Sequence, residues 1–332
     1  MFRLLLIACF CVVQAIGMQP LLLSLDEDPR ITQKFLQQII PECARLDGSS
    51  FRTYGDRFDR PPCIAVLHYT ETRNRGGAME AFRDNGTSAH YVVDQDGDII
   101  QIVPLHHRAF HAGVSRFGDH TSLNGCSIGV EIVNRGLAEH EEPGAVQLLG
   151  DGRWWFPFPP EQTRAVGLLV QALQARFRIP GWNVVGHMEI ALGRKSDPGP
   201  LLDYRTLFVD YHGGFFPSED PIVNRMEFLE RLVEDDYHAI LSLIGYRPPE
   251  GQWSLAIKAY QMHFSRGNIS GELVEETKES LIHFVLDIHS YRDPYTGTRH
   301  TSFIAEFHTL VWTAPERFDP FFQHIPSLQA GE

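Results

Sequence analysis

Residues 159–187 read Pro-Pro-Glu-Gln-Thr-Arg-Ala-Val-Gly-Leu-Leu-Val-Gln-Ala-Leu-Gln-Ala-Arg-Phe-Arg-Ile-Pro-Gly-Trp-Asn-Val-Val-Gly-His. Pro159-Pro160-Glu161 opens a helix, because the fixed proline φ suits a first helical turn. Val166, Leu169, Val170, Leu173 and Phe177 then recur at i, i+3, i+4, i+7 and i+11, a single apolar stripe. Pro180-Gly181 stops the helix, and Val184-Val185 is a short strand that ends at Gly186-His187. Working outward, Cys63–Leu67 and Ser127–Val133 are continuous apolar runs that read as buried strands. Tyr91-Val92-Val93 and Ile99–Val103 flank Asp96-Gly97, a hairpin pattern. Asp94 and Asp96 read as a solvated turn, since the rest of a calcium loop is missing. Strands interleaved with a helix indicate an α/β layer structure.

The chain has 332 residues, which at ~150 residues per domain suggests about two domains. With 43% hydrophobic and 21% charged residues it is neither a disordered chain nor a multi-span membrane protein. A net charge of −13 lacks the positive field that nucleic-acid binding uses, so neither DNA nor RNA is an expected partner. Most of that charge, −9, lies in residues 211–332, which hints at a boundary near 210.

The N-terminus reads as an address. Arg3 precedes the apolar run Leu4–Val13, too short to cross ~30 Å of hydrocarbon as a stable helix. Ala15-Ile16-Gly17 supplies small residues at a cleavage site, so residues 1–17 are expected to be a secretory signal peptide. The protein is then exported, to the periplasm or cell envelope, or secreted. Leu6-Ile7-Ala8-Cys9 also fits a lipoprotein box with a shorter apolar region, and membrane attachment is expected only if that cysteine is lipidated. Cys43, Cys63 and Cys126 remain after cleavage, so at least one thiol is free and the pairing is open.

After about residue 215 the pattern turns helical. Phe228, Leu232, Ile240 and Leu243-Ile244 line one helix, Leu255, Ile257, Ala259 and Phe264 a second, and Leu281, Phe284, Val285 and Ile288 a third. The expected organisation is a catalytic domain over 18–210, a helical domain over 218–290, and a tail over 291–332 with no assigned role. Tyr211-His212-Gly213-Gly214 with Pro217 is the expected linker.

Three strand ends carry polar residues that a core does not choose: His68, Glu131 and His187. An unpaired buried carboxylate costs several kcal/mol, so Glu131 needs a partner, a cavity or a raised pKa. In Gly186–Pro200, Asp197 precedes a proline and is biased toward extended backbone. Lys195 lies two residues earlier, so both side chains point the same way. His68, His187 and Asp197 make a three-ligand set that suits catalytic zinc, which leaves a fourth position for water.

The motifs Val66-Leu67-His68-Tyr69-Thr70, Ser88-Ala89-His90-Tyr91, Phe110-His111-Ala112-Gly113, Leu123-Asn124, Ser127–Glu131, Asn134-Arg135-Gly136 and Gly186–Pro200 follow one another in order. Over about residues 60–210 the chain resembles the zinc-dependent N-acetylmuramoyl-L-alanine amidases, in particular their AmiD-like branch. The resemblance implies a mixed central sheet flanked by helices, a fold shared with peptidoglycan recognition proteins. It implies that His68, His187 and Asp197 bind one zinc ion and that Glu131 and Lys195 are catalytic. His111 and Asn124 are expected to line the substrate cleft. Phe110, Glu189, Leu192 and Asp203-Tyr204 depart from the family pattern and touch no ligand. Gly245-Tyr246, Ala259–Phe264, Gly271 and Glu276-Thr277 resemble the C-terminal peptidoglycan-binding domain of the same branch, a small three-helix unit. His263 is expected to pack or cap there.

The implied function is hydrolysis of the amide between N-acetylmuramic acid and L-alanine in peptidoglycan or its fragments, with peptidoglycan and muropeptides as partners. The rival reading is a non-catalytic muropeptide receptor on the same fold, which has no need of an open metal position.

Overall fold

The structure is a computed structural model, and it describes residues 44–46, 54–56, 58–219, 229–313 and 317. The signal-peptide segment, Cys43 and Phe228 lie outside the described residues. No helix among the described residues is long and apolar enough to cross a membrane.

The strands are β1 (Ala44–Leu46), β2 (Ile64–Tyr69), β3 (Tyr91–Val93), β4 (Ile99–Gln101), β5 (Arg116–Phe117), β6 (His120–Thr121), β7 (Ser127–Ile132), β8 (Leu137–Ala138), β9 (Val146–Gln147), β10 (Trp154–Trp155) and β11 (Val184–Gly186). The helices are α1 (Arg75–Asn85), α2 (Pro160–Phe177), α3 (His187–Ile190), α4 (Tyr204–Tyr211), α5 (Glu234–Ile244), α6 (Trp253–Phe264), α7 (Glu275–Ser290) and α8 (Thr301–Thr313).

The central sheet runs in the order β1-β4-β3-β7-β2-β11. β3, β7, β2 and β11 are mutually parallel, whereas β4 pairs antiparallel with β3 through the expected hairpin. Gly97 in that hairpin has φ +87, a conformation that favours glycine. β8, β9 and β10 form a small second sheet, and β5 and β6 a two-stranded ribbon.

Strand alternation assigns each side of the central sheet. Ala65 and Leu67 of β2 and Ile128, Val130 and Ile132 of β7 pack against Val166, Leu169, Val170 and Leu173 of α2. Ile64 and Val66 face a separate cluster with Phe117, Val185 and Ile190. Because successive side chains alternate, His68 and Glu131 project from the face opposite α2. α1 covers that opposite face near β3 and β4 with Ala78, Met79 and Phe82. Asn74 caps α1 by accepting from the Gly77 N–H at 3.0 Å.

The second and third expected C-terminal helices are present as α6 and α7; the first is α5, which starts only at Glu234 and leaves Leu232 buried ahead of it. α8 joins them, with Phe303, Phe307 and Val311 buried among Tyr237, Ile240, Leu281 and Phe284. Part of the segment expected as an unassigned tail is therefore core. Met262 and Ile269 of this helical region pack into the core of the sheet layer instead.

Candidate functional site

The β7-β2-β11 order lines up the three marked strand ends. Glu131 is registered opposite His68, and Gly186 opposite Leu67, so His187 follows directly beside His68. The loop after α3 returns to the same place. Met188 N–H donates to the Asp197 carbonyl at 2.9 Å, and Tyr69 and Ser196 join their hydroxyls at 3.0 Å. The Asp197–Pro198 peptide is cis.

Three donor atoms converge. His68 Nδ1 lies 3.1 Å from His187 Nδ1 and 2.9 Å from Asp197 Oδ2, and His187 Nδ1 lies 3.0 Å from the same oxygen. All three residues are buried. The hydrogen-bond network fixes where the imidazole protons sit. The Ser127 hydroxyl gives its only proton to the Leu123 carbonyl at 2.6 Å. His111 Nε2, 3.3 Å from Ser127 Oγ, must therefore donate. His111 Nδ1 then accepts from His68 Nε2–H at 3.1 Å, which leaves His68 Nδ1 with a bare lone pair. His187 Nε2–H donates to the Ala112 carbonyl at 3.2 Å, and its Nδ1 is bare as well. Two imidazole lone pairs and a carboxylate oxygen thus aim at one point with no proton between them. Such a cluster repels itself until a cation binds, and the donor chemistry fits a borderline metal ion held by nitrogen and oxygen.

The electrostatics agree. Burial, with the neighbouring His187, lowers the His68 pKa to about 4 despite the Asp197 carboxylate. Glu131 Oε2 is buried without a hydrogen-bond partner. Burial and the Asp197 charge push its pKa well above the ordinary value, and Lys195 partly opposes them. Lys195 is exposed, and its charge reaches both Glu131 and His68.

His111 and Asn124 stand behind His68 and His187, where a cleft wall was expected. The His111 ring is buried under His68. Asn124 Oδ1 accepts the backbone N–H groups of His111 and Ala112 at 3.1 and 2.8 Å, and so aims the carbonyl that orients His187. Both side chains contact the scaffold of the site. Sequence reasoning missed Ser127, the Ala112 carbonyl and Gly129. A Cβ on Gly129 would lie 2.5 Å from the His111 ring, which explains a glycine in the middle of a buried strand.

The family model for N-acetylmuramoyl-L-alanine amidase matches residues 58–200, the span that holds every residue of this site. The chain is 32% identical over 230 residues to the N-acetylmuramoyl-L-alanine amidase AmiD of Escherichia coli, covering 65% of this chain and 79% of that protein. The solved complex of E. coli AmiD with anhydro-N-acetylmuramic acid-L-Ala-D-γ-Glu-L-Lys superimposes with a TM-score of 0.54 at 27% identity, covering 73% of this chain and 92% of that one. AmpDh3 of Pseudomonas aeruginosa, solved with an anhydromuramic pentapeptide, superimposes with a TM-score of 0.57 at 30% identity, covering 72% and 96%. The ordered motifs, the sheet and this extended similarity agree, and the chain belongs to the N-acetylmuramoyl-L-alanine amidase family.

Proposed function

We propose that the protein hydrolyses the amide joining the lactyl group of N-acetylmuramic acid to L-alanine of the stem peptide, with zinc held by His68, His187 and Asp197. The observation that carries this reading is the convergence of three proton-free donor atoms beside an unpaired carboxyl on one sheet face. When bound, zinc supplies Lewis-acid polarisation of the scissile carbonyl and the attacking water. Glu131 takes a proton from that water as the C–O bond forms and returns it to the alanine nitrogen as the C–N bond breaks. Its high proton affinity suits both transfers, since a carboxyl with an ordinary pKa is a poor acid toward an amine. Lys195 places positive charge near the developing oxyanion, a contribution that reaches ~3 kcal/mol for a well-placed donor. His111, Ser127 and Asn124 hold the two ligand imidazoles in the metal-binding tautomer.

Two solved relatives hold anhydromuramyl peptides, which supports soluble peptidoglycan fragments as a substrate class. The apolar segment after Arg3 supports export, with a mature chain beginning at Met18. The helical region supports a second contact with the polymer. Incubation with defined muropeptides and with sacculi, with and without a chelator, tests the whole reading by mass spectrometry of the products. Release of intact stem peptides, blocked by the chelator and restored by zinc, is expected. Binding without cleavage would instead establish the receptor function.

A further inference from the structure

Cys63, His120 and Cys126 form a second cluster of metal-ligating side chains, separate from the site above. Cys63 immediately precedes β2 and Cys126 immediately precedes β7, and the Cys63 N–H donates to the Cys126 carbonyl at 2.9 Å. The two thiols thus sit side by side where these parallel strands begin. His68 lies at the other end of β2, five residues and ~16 Å of extended chain away. His120 reaches the pair from the β5–β6 ribbon, whose turn at Gly118 (φ +54) folds it back over the strand starts.

We propose that Cys63, Cys126 and His120 form a second, structural metal site for a thiophilic ion of the zinc class. Bond lengths of ~2.3 Å to sulfur and ~2.0 Å to nitrogen place the donors of a tetrahedral site ~3.5–3.8 Å apart. Cys63 Sγ and His120 Nε2 are 3.8 Å apart, and all three donor atoms lie within 4.8 Å of one another. Both sulfurs are free thiols, Cys126 buried and Cys63 partly so. Arg60 Nη2 lies 3.4 Å from Cys126 Sγ, which favours the thiolate, the ligand form. Two thiolates cancel the charge of a divalent ion, so the filled site adds no net charge where it is partly buried.

The site would clamp the β5–β6 ribbon to the sheet. That ribbon is also the seat of the helical region. Gly118 N–H donates to the Gly245 carbonyl at 2.7 Å, and the rings of Phe117 and Tyr246 lie edge to face at 6.2 Å. The ion therefore fixes the piece of the sheet layer on which the C-terminal helices rest.

The test uses full-length protein kept reduced, loaded with zinc and stripped of loose ions by gel filtration. His68→Ala, which disables the catalytic set, should still hold one zinc per chain, and His68→Ala/Cys126→Ser none. Cobalt in place of zinc should give thiolate-to-metal charge-transfer absorption in wild type and in His68→Ala. That absorption should disappear in Cys63→Ser and Cys126→Ser. His120→Ala alters a partly exposed ring and should weaken zinc retention at this site if either cysteine variant misfolds. A metal-free His68→Ala protein, charge-transfer absorption that survives loss of Cys126, or a Cys63–Cys126 disulfide in the non-reduced peptide map of protein purified without reductant would each overturn the proposal.

Discussion

Glu189, in the same short helix as His187, accepts a hydrogen bond from the Tyr246 hydroxyl at 2.7 Å. Its other oxygen takes the Gly186 N–H at 2.5 Å and His263 Nδ1–H at 2.9 Å. The carboxyl is buried, and the His263 ring stacks on Tyr204 at 3.6 Å. The C-terminal helical region therefore supplies two of the groups that satisfy a buried acid two residues from His187.

Tyr246→Phe leaves that buried carboxylate short of a donor and should cost about 1–3 kcal/mol, read as a lower urea midpoint with an unchanged slope. Ending the chain at Tyr211 removes Tyr246 and His263 together and takes Met262 and Ile269 out of the sheet core. The fragment should be insoluble or lack a cooperative thermal transition. A soluble fragment with full activity on small muropeptides would show that Glu189 is satisfied by water instead.

Glu131→Gln keeps the size of the side chain and removes the base. Turnover should fall by about 10²–10⁴-fold while the metal content is unchanged. The raised Glu131 pKa also sets the acid limb of the pH–rate profile. The base must be ionised to take the water proton, so kcat/KM should rise with pH through its pKa, above the ordinary carboxylate range. A flat profile from pH 5 to 8, together with near-normal Glu131→Gln turnover, would make the residue structural.

The chemistry was legible because polar residues ended apolar runs: no core explanation covers His68, Glu131 and His187 together. The α2 stripe and the β3–β4 hairpin were legible from their periods. β1 was not, since three residues have too little alternation to register. α8 carries Phe303, Phe307, Leu310 and Val311 at i, i+4, i+7 and i+8, a readable stripe hidden in a segment dismissed as a tail. The part of His111 was not legible. It depends on Gly129 and Ser127 on β7 lying under a ring from a loop, and only the fold brings them together.

His90 provides a stability test with a definite sign. Its Nδ1 accepts the Gly129 N–H at 3.0 Å while its Nε2–H donates to the His107 carbonyl at 3.0 Å, so the neutral ring is required. Burial lowers its pKa to about 4. A folded pKa below the unfolded value of ~6.5 gives stability that is full above pH 6.5 and is lost as pH falls toward 4, up to about 3 kcal/mol. Unfolding free energy should drop over that window, and the drop should be smaller in His90→Gln. An equal drop in the variant would assign the acid sensitivity to other buried histidines.

Gly129→Ala should damage the site without touching a ligand. The added Cβ meets three atoms of the His111 ring at 2.5–2.8 Å, a distance that forces something to move. The strand beneath is held on both sides, by β2 and by β3, so the ring must give way. Overpacking of this kind costs about 1–3 kcal/mol. Displacing His111 also removes the acceptor that keeps the proton on His68 Nε2, so His68 Nδ1 loses its fixed lone pair. Metal affinity should fall by about 10–100-fold, the usual effect of losing a group that orients a ligand. His111→Ala alone should weaken metal binding to a similar degree, through the same lost contact. Combining it with Gly129→Ala should restore much of the stability lost in Gly129→Ala, because the clash is gone, while leaving metal binding weak. Stability and metal affinity measured across the four proteins of this cycle separate the steric effect from the tautomer effect. Additive stability losses in the double variant would show that the alanine methyl is accommodated by the strand and that His111 is not its neighbour in solution.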